Sequence, residues 1–294
     1  MKKLRMSGVL QSLELRNREA ADDGLAHTEY LYRLLHDEVD RRESKQLSQR
    51  LRRASFDGMK SLEDFDFQFN PNVPKARVLD LATCQSVERR GNVLIIGKTG
   101  VGKSHLAQAL GQRACRAGYG ALYVAAHDLL TQLRASRADQ SHEKKLARFT
   151  APDLLIIDDL GLRPLSGDEP FDIYEVIRRR YERGAMIVTS NRAIEEWYPL
   201  FGDALLASAA MDRLLHHAHV IDIDGESYAI RRGASDRVAD LARSARAAPR
   251  SRSRGNPTFG FPLPLGTPFL FPFPQDSPSV ERAEWSRLPD PRGS

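Results

Sequence analysis

The chain has 294 residues, 41% of them hydrophobic, and carries a net charge of +5. Such a length buries one large core or two smaller ones, and no stretch approaches the roughly 20 consecutive apolar residues that span a bilayer. The opening Met1-Lys2-Lys3-Leu4-Arg5 runs into polar sequence rather than an apolar signal core, and two cysteines, Cys84 and Cys115, supply neither a disulfide framework nor a metal cage, so a cytoplasmic protein is expected.

Residues 1–60 read as amphipathic helix, with Leu31, Leu34 and Leu35, then Leu47 and Leu51, at helical spacing among many charges. This predicts a small helical domain that contacts a partner or DNA. Its clusters Lys2-Lys3-Arg5 and Arg50-Arg52-Arg53 have two readings, phosphate contact or a solvated basic face. Residues 61–74 form a linker, and the alternation of Phe65, Phe67 and Phe69 predicts an extended segment docked on the next domain. From 75 to 233 short apolar runs alternate with helical patterns. Val93 to Ile96, Ala121 to Val124, Leu154 to Ile157 and Met186 to Thr189 are continuous and short, as strands buried on both faces are, and predict an α/β domain with a parallel sheet. The stretch from Val220 to Tyr228 reads as a strand, an Asp224-Gly225 turn and a second strand. Residues 234–294 turn to Arg, Ala and Ser and then to Pro and Phe, hold more than half of the 16 prolines, and are expected to be a disordered, dispensable tail rather than a docking ligand.

The strongest pattern is Gly97-Lys98-Thr99-Gly100-Val101-Gly102-Lys103-Ser104, between the run Val93-Leu94-Ile95-Ile96 and the helical His105-Leu106-Ala107-Gln108. Glycines let successive backbone N–H groups turn around phosphate oxygens, and the helix behind presents its positive dipole end to the anion. This predicts ATP bound by residues 97–105, with Lys103 on the outer phosphates and the Ser104 hydroxyl on Mg²⁺. A glycine-rich turn without ligand is the competing reading.

A phosphate loop alone binds nucleotide without cleaving it. The run Leu154-Leu155-Ile156-Ile157 ends in two carboxylates, of which Asp158 is placed to hold the Mg²⁺ shell and Asp159 to polarise the attacking water; two acids capping a turn are the alternative. Met186-Ile187-Val188-Thr189-Ser190-Asn191 is a second apolar run with a polar end. There Asn191 either orients water near the γ-phosphate or caps the helix that starts near Ile194-Glu195-Glu196.

The ordered set of loop, Asp158-Asp159, Thr189-Ser190-Asn191 and Met211-Asp212-Arg213-Leu214-Leu215-His216-His217-Ala218 resembles the AAA+ ATPases. More narrowly it resembles the IstB-like transposition helpers of bacterial insertion sequences, relatives of the replicative helicase loaders, from Leu4 to about Arg231. The resemblance implies a homo-oligomer with ATP at subunit junctions and an arginine supplied in trans, a position that Arg213 matches; the alternative pairs Arg213 with Asp212 or Glu226 inside one subunit. It also implies duplex DNA and a cognate transposase as partners. Family members often carry Glu where Asp159 stands, and the shorter side chain implies slower hydrolysis. The histidines at 216, 217 and 219 lack a further ligand nearby, so zinc is not expected. Three rivals remain: a helicase loader, a small-molecule P-loop kinase, and an adaptor that binds ATP without hydrolysing it.

Overall fold

The computed structural model describes residues 6–225 and Ser227. Two helices come first, α1 (Ser7–Asp23) and α2 (His27–Ala54), which pack on each other as a hairpin. Gly24, at φ 62°, closes α1 in the left-handed conformation and lets the chain reverse. The residue before α1, Met6, supplies no capping side chain. Instead the buried Glu38 of α2 accepts the N–H groups of Gly8 and Val9. Arg16 forks onto Asp37 at 2.8 and 2.9 Å and holds that carboxyl down to about 2.

The leucines of α2 do not share one environment. Leu34 is buried in the hairpin, and Leu47 and Leu51 pack beneath the sheet, whereas Leu31 and Leu35 stay 55% and 44% exposed beside exposed Tyr32 and Val39. Helical periodicity gives the face but not what covers it.

Five strands, β1 (Val93–Gly97), β2 (Ala121–Ala125), β3 (Leu154–Asp158), β4 (Ala185–Ser190) and β5 (His219–Ile223), form one parallel sheet in the order β2-β3-β4-β1-β5 among the described residues. The first four grow from the apolar runs expected to be strands. Alternate residues serve two cores: Val93 and Ile95 join one with Ile156 and Ile187, while Leu94 and Ile96 join the other with Leu155, Ile157 and Val188. The first core packs under α3 (Lys75–Leu81), α4 (Gln85–Glu88) and α5 (Lys103–Arg116). The second lies beneath α6 (Ala126–Ala138), α7 (His142–Thr150), α8 (Glu169–Arg180) and α9 (Ala204–Leu215). The α/β class read from the sequence is therefore the one observed. The expected second strand after Gly225 and the Pro-rich tail lie outside the described residues.

Residues 61–74 dock as expected, with Phe65 and Phe67 against the α5-side core, but by successive turns rather than as an extended run. Side chains divert the backbone. Asp66 accepts the N–H groups of Gln68 and Phe69 at 2.9 and 3.1 Å, and Ser61 Oγ accepts that of Asp64 at 3.2 Å.

Arg180, fully buried at the end of α8, is the polar anchor of the sheet's N-terminal edge. Its guanidinium donates to the carbonyls of Phe149, Thr150, Pro152, Asp153 and Ala185 at 2.7 to 3.2 Å, tying α7 to the starts of β3 and β4. Burial lowers its pKa to about 10.

Candidate nucleotide site

Because every strand runs the same way, Gly97, Asp158 and Ser190 end at one edge of the sheet, where ligands of open α/β sheets collect. The chain leaves β1 at Gly97 and re-enters helix at Lys103. Two of the loop glycines show why no side chain fits there. At Gly97 a Cβ would collide with the Ile223 carbonyl of β5, and at Gly102, the left-handed residue before α5 (φ 99°), it would meet the Phe65 ring at 2.9 Å. The start of α5 thus faces the loop, with the N–H groups that no preceding turn can satisfy.

Residues Thr99 to His105 line a cavity of about 530 Å³ together with Asp64, Phe65, Asp66, Phe69, Asn70 and, across from the loop, Asp159 and Leu162. Lys103 is 5% exposed, donates to the Lys98 carbonyl at 2.9 Å, and forms no salt bridge among the described residues. Burial lowers its pKa, and the charges of Asp159 and Asp158 offset this only in part. Lys98 points outward to Asp224 at 3.0 Å. His105 turns from the loop toward the linker, its Nε2 2.9 Å from the Ser61 carbonyl and its ring edge-on to Phe65.

Asp158, 3% exposed at the end of β3, is gripped on both carboxylate oxygens. The Tyr123 hydroxyl of β2 donates to Oδ2 at 2.6 Å, and the Thr189 hydroxyl of β4 donates to Oδ1. The Thr189 oxygen in turn accepts the Asp159 N–H at 2.9 Å. Asp159 sits at φ 56°, a left-handed turn that aspartate tolerates and that directs its carboxyl into the cavity. Burial, then the neighbouring Asp158 charge, raises its pKa.

Asn191 follows β4 directly and is exposed. The 3-10 helix Ile194–Leu200 starts from Ala193 with no side-chain cap, so capping does not account for Asn191. Arg213 lies at the other edge of the sheet. Asn92, just before β1, donates to the carbonyls of Leu214 at 2.9 Å and Arg213 at 3.4 Å. The guanidinium donates to the Ala209 carbonyl at 2.8 Å and lies 5.6 Å from the Tyr174 ring centre, in a cavity of about 410 Å³ shared with Arg89, Arg90 and His217. Among the described residues it has no pairing with Asp212; Glu226 lies outside them.

The donor set fits a nucleotide and a hard divalent cation. A buried ammonium without a carboxylate partner, beside the start of a 14-residue helix, suits a polyanion. The Ser104 hydroxyl and the Asp158 and Asp159 carboxylates are oxygen donors of the kind Mg²⁺ takes. The sequence did not point to Tyr123, Asn70 or Leu162 as site residues, and it marked Phe69 only as part of the docked linker. Of the first three, only Tyr123 left a trace, as a lone phenol in an otherwise small and aliphatic strand.

Comparison with known proteins agrees with this chemistry. The model of a family described as IstB-like ATP binding protein matches residues 1–235. A protein named as ATP-binding in insertion sequence IS5376 of Geobacillus stearothermophilus is 36% identical over 212 residues, covering 72% of this chain and 84% of its own. One from an insertion sequence of Mycobacterium tuberculosis is 38% identical over 229 residues, covering 78% and 91%. Among solved structures, DnaI aligns with a TM-score of 0.48 at 23% identity over 55% of this chain and 90% of that one.

Proposed function

Given that this chain belongs to the family of IstB-like ATP-binding proteins, we propose that it is a Mg²⁺-dependent ATPase that assembles on duplex DNA and recruits or activates the transposase of its insertion sequence. The observation that carries the ATPase reading is the meeting of a buried Lys103, the loop residues Thr99 to His105 and Asp159 around one cavity, with Asp158 fixed behind them. In this reading bound Mg²⁺-ATP brings the γ-phosphoryl group and neutralises part of its charge. Lys103 and the α5 amides hold the phosphates, and Ser104 and Asp158 hold the metal shell. Asp159, its pKa raised by burial, accepts hydrogen bonding from the attacking water, and Asn191 orients that water from the neighbouring strand end.

Arg213 supports self-assembly. It lies beside Asn92, which precedes β1, whereas the loop follows β1 at Gly97, and five strand residues span roughly 16 Å. It is therefore assigned to a neighbouring subunit's ATP, where a guanidinium stabilises charge in the transition state and makes turnover depend on assembly. The helical domain of residues 1–60 is assigned to partner contact, supported by the exposed Leu31, Tyr32, Leu35 and Val39 on α2. The insertion-sequence relatives favour a transposition helper over a helicase loader.

The test is ATP hydrolysis by purified protein with and without duplex DNA, with sizing of the ATP-bound form and Lys103→Ala as control. DNA-stimulated turnover and nucleotide-dependent assembly support the proposal. Turnover indifferent to DNA in a monomer refutes it and favours a small-molecule kinase.

A further inference from the structure

The Tyr123 ring belongs to the α5-side core, but an apolar core does not account for its hydroxyl. Tyr123 belongs to the edge strand β2 and pairs in register with Ile156, while Asp158 pairs with Ala125, two residues further along. Tyr123 and Asp158 have the same parity in the register and so face the same side, toward α5. Asp158 is thus the diagonal cross-strand neighbour of Tyr123, a separation that an aromatic side chain can reach. The Tyr123 hydroxyl donates to Asp158 Oδ2 at 2.6 Å. A phenol taken out of water needs such a partner, and here the partner is the carboxylate that the proposed site uses for its metal.

The ring is braced from behind. Phe56, in the turn after α2, lies 6.4 Å from it centre to centre. The Asp57 N–H donates to Gln108 Oε1 at 3.1 Å, and Gln112 Nε2 donates to the Gly58 carbonyl at 3.1 Å, so α5 holds the turn 56–58 against β2. An ionised carboxylate only accepts, so the phenol is the donor in this contact.

We infer that Tyr123 is a positioning residue for Asp158, fixing with Thr189 the plane in which that carboxylate meets the metal shell, and that the turn 56–58 at the end of α2 holds Tyr123 in place. Each carboxylate oxygen then accepts one hydroxyl and keeps lone-pair capacity for the cation or its waters. The block that carries Tyr123 also carries the end of α2, so the helical hairpin and the metal carboxylate share one support. The inference rests on the ATPase reading above.

The experiment is titration of a fluorescent ATP analogue into the full chain, first in EDTA and then at increasing Mg²⁺, for wild type, Tyr123→Phe and Asp158→Asn, with Mg²⁺-dependent turnover alongside. Tyr123→Phe keeps the ring and loses only the hydroxyl. It is expected to leave metal-free affinity unchanged, to lower the melting temperature by a few degrees for the hydrogen bond lost at buried Asp158, and to raise the Mg²⁺ needed for half-saturation by about 10-fold or more, a typical cost of losing a group that orients a metal ligand. A Tyr123→Phe curve that overlays wild type, or one that loses affinity equally with and without Mg²⁺, overturns the inference. Wild type that binds the analogue without any response to Mg²⁺ or to Asp158→Asn overturns the ATPase reading itself.

Discussion

Replacing Lys103 with Met removes an ammonium from a place where burial already depresses its pKa. Two effects oppose. The variant loses the hydrogen bond to the Lys98 carbonyl at 2.9 Å, worth about 1.5–3 kcal/mol for a charged donor. It also escapes the cost of holding a 5% exposed charge without a salt-bridge partner, which runs to several kcal/mol per ion. The downward direction of the pKa says that burial outweighs the attraction of Asp158 and Asp159. Met is unbranched and fills nearly the same volume. The nucleotide-free variant should therefore be within about 1 kcal/mol of wild type or more stable, no more than roughly 4 °C lower in Tm for a domain of this size. The pH dependence has a definite sign. Lys103 titrates lower in the folded state than in the unfolded chain, so the unfolded chain binds more protons between the two values. The penalty is fully present below the folded pKa and fades as pH rises toward the ordinary 10.5. Any advantage of the variant should shrink in alkali. With nucleotide at 100 times Kd, wild type gains about 2.7 kcal/mol, which is roughly 5–10 °C, and the variant gains nothing. Thermal unfolding at pH 7 and pH 9.5, with and without Mg²⁺-ATP, measures all three. A nucleotide-free variant melting more than about 5 °C below wild type, or one that keeps the nucleotide shift, refutes the reasoning.

Arg213→Ala is expected to keep the nucleotide-induced Tm shift and to lose turnover by about 10³-fold, and mixing it with Asp159→Asn subunits should recover part of that turnover. No recovery on mixing would place Arg213 in the service of its own subunit. Asp159→Asn alone should bind nucleotide as wild type does and hydrolyse it about 10²- to 10⁴-fold more slowly, read in a phosphate-release assay. Arg180→Lys leaves one ammonium where a planar fork served five carbonyls, and should cost about 3–5 kcal/mol, seen as a fall of roughly 10 °C in Tm; a fall under 2 °C would show that water replaces the guanidinium.

The parts legible in the sequence are those where one backbone requirement selects one residue type. Strands covered on both faces must be apolar throughout, so β1 to β4 stood out as runs. The turn from β1 into α5 must pass Ile223 and Phe65 with no room for a Cβ, so Gly97 and Gly102 stood out as well. Where two local tendencies compete, the reading failed. The alternating Phe65, Phe67 and Phe69 imitate a strand, but Asp66 and Ser61 capture the backbone N–H groups that a strand would need. Leu31 and Leu35 fit a buried stripe by period alone and lie on the surface. Tyr123 could not be placed because its role depends on the register of β2 against β3, which local sequence does not encode.

The two edges of the sheet divide the work in a way that bears on assembly. Glycines, Lys103, Asp158 and Asp159 gather where the parallel strands end, and Arg213, with Arg89 and Arg90, gathers where β1 begins. The α9 backbone is hydrogen-bonded to Asn92 at that second edge, and Arg180 ties the starts of β3 and β4 beside it, so Arg213 cannot swing across without unmaking the sheet's polar frame. Under the proposed assembly, each subunit would carry two separate half-sites. Stacking one subunit's arginine edge on the next subunit's loop edge would join them in a head-to-tail contact, which would repeat into a ring or a helix rather than close as a two-fold dimer. Such repetition along a polyanion would let one DNA set many subunits in register, and would make ATP turnover report how many have assembled.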